Sequence, residues 1–174
     1  VQPIYTPVVW RLKVPPRVQG FLWLFSQNKI MTCDNLRKRG IPKPLECVHC
    51  KEIESVHHLF FDCVVARLMW KEVEIIFDKT FRSFGELAAC WLCEKRFAHL
   101  NVVSSAVLWG LWNTRNSIEF NRTKWISIKQ VWQKISSYLG DWTKLHKELQ
   151  EGAMKLFRDH MLRKLRSPLE LEPD

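Results

Sequence analysis

Cys47-Val48-His49-Cys50-Lys51-Glu52-Ile53-Glu54-Ser55-Val56-His57-His58-Leu59-Phe60-Phe61-Asp62-Cys63 is the stretch on which the fold turns. Two thiols lie two residues apart, an imidazole follows after seven more, and a third thiol after four. Three sulfurs and one ring nitrogen at this spacing can close a tetrahedron around a single Zn2+. Cys47 and Cys50 sit on a tight turn that aims both sulfurs to one side. His58 and Cys63, five positions apart, suit the first turn of a helix or the bend leading into it. Four protein ligands leave no position for water, so the ion would be structural, not catalytic. The expected ligands are Cys47, Cys50, His58 and Cys63. His57, and after it His49, compete with His58 for the fourth place. His58 is preferred because Leu59 and Phe60 then fall on the apolar side. The opposing reading is three buried free thiols, which fits a polar, Pro-bounded loop poorly.

Around this loop the chain has 174 residues, room for one domain or two small ones. Nine Trp in a 47% apolar sequence suggest helices packed through large aromatic anchors. Twenty-seven Lys and Arg against eighteen Asp and Glu leave a net charge of +9, which favours a polyanion such as nucleic acid, or an anionic surface. No apolar run approaches the roughly 20 residues of a membrane helix, and no signal peptide is visible, so no membrane partner is expected. Six Cys, grouped as Cys-x2-Cys, favour metal in a reducing compartment over disulfides. An intracellular protein is therefore expected, nuclear in preference to cytoplasmic. The chain starts at Val1, not Met, and reads as a segment of something longer.

Helix signals dominate the rest. Pro16 opens a predicted helix over 16–30, with Val18, Phe21, Leu22 and Phe25 on one stripe. Thr32 caps a short helix over 33–39 that Gly40 and Pro42 end. A helix starting near 56 or 64 should reach Phe77. Ser83-Phe84-Gly85-Glu86 resembles a capping box for a helix to about Arg96. Within it lies Cys90-Trp91-Leu92-Cys93, a second Cys-x2-Cys, read as packing because only His99 is near. A further helix covers 101–120. The longest is expected over 127–165, capped by Ser127, with Ile128, Val131, Trp132, Ile135, Leu139, Trp142, Leu145 and Leu149 in steps of three and four. Gly152 marks a break or bend in it. A stripe this long either crosses the whole bundle or pairs with a second copy as a coiled coil. The expected architecture is mainly α: a helical bundle with one zinc-bound CCHC loop and a long C-terminal helix. Residues 1–80 would form the zinc-binding domain, 81–166 a helical extension packed on it, and 167–174 a flexible tail.

Basic residues are the candidate nucleic-acid contacts. Arg37, Lys38 and Arg39 end the short helix, where the dipole also favours positive charge. Lys43, Arg115, Lys129 and Lys134 complete the set. Arg115 and Asn116 have an alternative role, hydrogen bonding to nearby backbone. Between 122 and 166, eleven Lys or Arg face four Asp or Glu, so that outer surface should be basic. Glu52 and Glu54 would repel phosphate, which moves the expected contacts off the metal loop and onto its flanks.

Several ordered motifs together resemble a known family. They are Trp10-x2-Lys13-Val14-Pro15-Pro16-Arg17-Val18, Phe21-Leu22-Trp23-Leu24, Thr32-x-Asp34-Asn35-Leu36-x-Lys38-Arg39-Gly40, Cys47-x2-Cys50, Glu54-Ser55-x2-His58-Leu59-Phe60-x2-Cys63 and Ala66-x3-Trp70. This set resembles the zinc-binding domain that follows reverse transcriptase in plant LINE-type (non-LTR) retrotransposons. Leu108-Trp109-Gly110-Leu111-Trp112-x2-Arg115-Asn116-x3-Phe120 is similar to a segment found downstream in those polyproteins. The resemblance implies an accessory module of a retroelement protein, or of a host gene descended from one. It carries the zinc ligands over to Cys47, Cys50, His58 and Cys63. It implies a role in holding element RNA or target DNA while the polymerase copies. The Cys90/Cys93 pair departs from the pattern.

Two functional expectations follow. One is a zinc-stabilised, non-catalytic module that binds RNA or DNA through the backbone. The rival is a protein-interaction scaffold, pairing with a protein partner or a second copy through the long C-terminal helix. Polymerase, endonuclease and RNase H motifs are absent from the sequence, as are a nucleophile elbow and a phosphate loop.

Overall fold

Two prolines set the first substantial helix. Pro16 occupies its first turn, where the missing N–H has no intrahelical acceptor to lose. In the computed structural model, which describes residues 6–121 and 123–168, a short turn α1 (Thr6–Val9) precedes this helix, α2 (Pro16–Ser26). α2 stops four residues before its expected end. Asn28 turns left-handed (φ 54), and the Asn28 and Lys29 amides bond back to Phe25 and Leu24. That is a Schellman closure with Asn in the role usually filled by Gly. α3 (Cys33–Lys38) ends the same way on Gly40 (φ 79).

The metal loop then leads into α4 (Val64–Phe77), followed by α5 (Phe84–Leu92) and α6 (Ala98–Asn121). The Ser83 hydroxyl accepts the Glu86 amide, as a capping box requires, but the Glu86 carboxylate accepts from the Arg82 amide, not from that of Ser83. α6 is the central element. Leu100 to Leu108 are buried without interruption, so this helix has no solvent face in its first half. Several of its buried polar groups find partners nearby: Asn101 donates to the Cys90 carbonyl, and Ser104 and Ser105 donate to the Asn101 carbonyl.

The helix expected over 127–165 is instead two. α7 (Lys129–Trp142) and α8 (Gly152–Arg166) are separated by two 3-10 turns, Thr143–Leu145 and Lys147–Leu149. Gly152 takes φ 64 and opens α8 rather than bending a continuous helix. At 1.5 Å per residue, one helix of that length would run about 58 Å, well beyond a small domain of about 30 Å. Reversing the chain lets both halves of the stripe enter one core: Val131, Ile135, Leu139, Trp142, Leu149, Met154, Phe157 and Met161 are all buried. Leu145, which continued the stripe on paper, is 80% exposed at the reversal. The stripe that suggested a coiled coil is thus buried within the chain.

One continuous core runs from Val8 to Met161, so the segment before residue 80 and the segment after it share their interior. α6 and α7 pack tightly at Gly110. A Cβ on Gly110 would lie 2.9 Å from Ile135 Cγ1. Among the described residues no helix is long and apolar enough to cross a membrane.

Candidate metal centre

The loop that carries the first two sulfurs is a small knuckle. Glu46 and Ile53 pair as an isolated antiparallel bridge, the Cys47 amide bonds to the Glu52 carbonyl (2.7 Å), and the Glu54 amide bonds to Leu45 (2.7 Å). Lys51 closes the turn at φ 68, a left-handed position that a residue with a Cβ rarely takes. The second half is a single π-turn over His58–Asp62. Its diagnostic bond runs from the Cys63 amide to the His58 carbonyl at 2.7 Å. A π-turn holds one residue more than an α-turn, so positions i and i+5 lie almost above one another. This local geometry makes His-x4-Cys a workable ligand spacing. Ser55 accepts the His58 amide at 3.1 Å, and the Trp70 indole donates to the Phe60 carbonyl at 2.6 Å, anchoring the turn to α4.

The result brings Cys47, Cys50, His58 and Cys63 together, with all four ligand atoms within 4.8 Å of one another. Cys47 and Cys63 sulfurs are 3.9 Å apart, Cys50 and Cys63 sulfurs 3.9 Å, and Cys50 Sγ lies 3.2 Å from His58 Nε2. A tetrahedron with Zn–S bonds of about 2.3 Å requires sulfurs about 3.8 Å apart. The donor set fits Zn2+, and all four positions are taken by protein. The hydrogen bond from Cys47 pulls the Cys63 thiol below its ordinary range, and the same bond pushes Cys47 above it. Burial raises Cys50.

The two competing histidines have other partners. His57 points outward and pairs with Asp62 at 3.2 Å. The His49 ring stands edge-on to Trp125, centroids 4.7 Å apart, and burial lowers its pKa to about 4. Of the second Cys-x2-Cys, Cys90 is buried in α5 while Cys93 is exposed at its end.

With this geometry in place, comparison with known proteins is informative. Residues 2–70 match a family described as zinc-binding in reverse transcriptase. Over these residues the chain is similar to that reverse-transcriptase-associated zinc-binding domain. A protein of Arabidopsis thaliana whose name describes it as a ribonuclease H protein is 24% identical over 123 residues, which cover 62% of this chain and 18% of the relative. The chain therefore spans about a fifth of that relative's length. No solved structure matches. The cofactor of the zinc-binding domain is zinc, which Cys47, Cys50, His58 and Cys63 would hold.

The domain is tied to the helices downstream by a feature that sequence reasoning missed. Glu54 does not face solvent. Its carboxylate accepts Arg115 Nη2 at 2.7 Å and Nε at 3.1 Å, and both side chains are fully buried. Glu54 Oε1 also accepts the Cys33 amide at 2.8 Å, at the start of α3. Arg115 further donates to Asn116 Oδ1 and contacts Cys33 Sγ. Arg115, a candidate nucleic-acid contact, is instead sealed in the core with no exposed surface, and Glu54, expected to repel phosphate, holds its carboxylate against Arg115 in the interior. The motifs around Glu54 and Arg115, sixty-one positions apart, are the two halves of one ion pair. Neither short-range spacing nor hydrophobic period could reveal a pairing at that separation.

The remaining predicted contacts separate into two groups. Lys43 pairs with Glu119 and lies over the Phe120 ring, Lys129 donates to the Leu165 and Ser167 carbonyls at the end of α8, and Lys134 reaches Ser117 with burial lowering its pKa. Arg37, Lys38 and Arg39 are exposed. Lys38 pairs with Asp34 at 3.2 Å, whereas Arg37 and Arg39 have no ion pair among the described residues.

Proposed function

We propose that the chain is a zinc-stabilised, non-catalytic module that holds RNA or DNA by its phosphates. The observation that carries the reading is the exposed Arg37-Lys38-Arg39 cluster on α3, whose first amide is held by Glu54 of the metal loop. Zinc closes the loop, the loop seats α3 through Glu54, and the end of α3 presents two guanidinium groups with no acidic partner among the described residues. The excess of nine positive charges supplies the wider field. Lys155 and Arg166, exposed on α8, add to it. A closed four-ligand zinc site offers no water to activate, which supports a binding role over hydrolysis.

Phosphate contacts release counterions, so binding should weaken steeply with salt. Four such contacts on a single strand give a slope of about −3 in log K against log salt. Fluorescence polarisation with labelled RNA and DNA over a salt series tests this. A slope near zero, or no binding in low salt, rejects it. Arg37→Gln with Arg39→Gln should weaken all strands alike and flatten the slope by about 1 to 2.

The scaffold reading draws its support from isolated exposed apolar side chains, Ile126 at 80% and Ile53 at 67% among them. Light scattering that showed a stable dimer in the absence of nucleic acid would favour it.

A further inference from the structure

A cavity of about 550 Å³ lies where the zinc loop, α4, α7 and α8 meet. Its volume is within the roughly 300–1,000 Å³ of small-ligand sites. Four flat rings line it, those of His49, Trp125, Trp132 and His160. Two cations of α8, Arg163 and Lys164, line it as well. The one carboxylate there, Glu72, is already matched: His160 Nε2 bonds to one oxygen and Lys164 Nζ lies 3.2 Å from the other. Lys164 also sits over the Trp132 ring at 5.5 Å. Arg163 is exposed and has no ion pair among the described residues, so its charge is available to an anion.

The walls hold unmet polar groups. Both ring nitrogens of His49 and the indole nitrogen of Trp132 are buried with no hydrogen-bond partner among the described residues. Buried polar atoms nearly always have a partner. A neutral imidazole offers one donor and one acceptor, and an indole one donor. Flat aromatic walls and a guanidinium at the rim suit a flat heterocycle joined to a phosphate. An apolar ligand would leave the Arg163 charge unmet, and a bare phosphate would leave the aromatic walls without contact.

We propose that this cavity receives one unpaired nucleobase of a single strand, with the adjoining phosphate on Arg163. The proposal rests on the nucleic-acid reading above and goes further, because phosphate contacts alone are indifferent to whether bases are present. Single-strand binders join a basic track to aromatic platforms in this way. His49 lies between two zinc ligands, so the metal loop supplies one wall of the cavity.

The test uses the full zinc-loaded chain and three labelled probes of about 12 nucleotides, a length that one small module can occupy: a single strand, an abasic strand of the same backbone, and a fully paired duplex. The single strand should bind about tenfold more tightly than either of the others. Trp125→Ala should remove that preference, Trp125→Phe should keep it, and Arg163→Gln should weaken the single strand and the abasic strand alike while leaving the preference between them. A 2-aminopurine in the single strand should lose fluorescence on binding the unaltered protein, which tests base capture without any variant. Equal, salt-sensitive binding of the abasic and normal strands, or unchanged 2-aminopurine fluorescence, overturns the base site and leaves the phosphate-binding reading standing. Failure of all three probes to bind overturns both.

Discussion

The metal loop and the α7–α8 pair solve the same problem, closing a chain reversal, by different physics. In the loop, residues 45–58 include few buried apolar side chains: Cys47 and Glu54 are the buried positions, and Ile53 is two-thirds exposed. Its shape comes from directional bonds, namely four metal ligands, a backbone knuckle and the Glu54–Arg115 pair. In the α7–α8 reversal the work is done by apolar area. Eight large side chains are buried and the connecting turns tolerate an exposed Leu145. A directional closure fails when one partner is removed, because the remaining partner is left buried and unpaired. An apolar closure loses stability roughly in proportion to the area removed.

Removing the metal should have the largest effect. Structural zinc contributes about 10 kcal/mol or more in small zinc domains, comparable to the whole stability of an ordinary domain of about 5–15 kcal/mol. Cys47→Ser, or chelation, should therefore abolish cooperative unfolding of the first 70 residues, read by circular dichroism alongside metal content. Helical signal retained in full without metal would contradict the contrast drawn here. Acid should act in the same direction. The ligands must lose protons to bind zinc, and Cys47 holds its proton above the ordinary range, so affinity falls as pH falls. A metal-release titration that showed tighter retention at low pH would have the wrong sign.

Next comes the buried ion pair. Glu54→Ala strands a guanidinium with no exposed surface, and breaking such a pair costs about 3–5 kcal/mol. Replacing both partners, Glu54→Leu with Arg115→Met, should recover a large part of that loss in chemical denaturation. A double variant as unstable as the sum of the single ones would mean that the two residues act separately. The apolar half should respond more gently. Gly110→Ala forces a Cβ against Ile135 Cγ1 and should cost about 1–3 kcal/mol, and that penalty should shrink in an Ile135→Ala background, which removes the clashing carbon. The smallest change concerns Lys51. Its left-handed backbone favours glycine, so Lys51→Gly should raise stability by up to about 1 kcal/mol without altering zinc affinity.

Legibility from the sequence followed the range of each interaction. The four ligands are close along the chain and chemically distinctive, so their spacing identified them. The helix starts at Pro16 and Phe84 were written in Pro16 and Ser83, whose local chemistry acts within a turn, whereas Thr32 stands at the start of α3 without capping it, its hydroxyl donating to Asp34. The end at Asn28 was missed because Asn adopts the left-handed cap less often than Gly. The π-turn was missed because hydrophobic period does not distinguish an inserted residue from a bend.

What the sequence determined unaided was therefore the local chemistry: a sulfur-rich tetrahedral donor set, a positive surface, and helices whose apolar stripes needed burial. What only the tertiary structure decided was which distant groups meet. It turned Arg115 from a candidate surface contact into the buried partner of Glu54, and it folded one long stripe back on itself. The reason is that a stripe specifies how much surface must be covered, whereas the cover itself, like the partner of a buried charge, is set by packing in three dimensions.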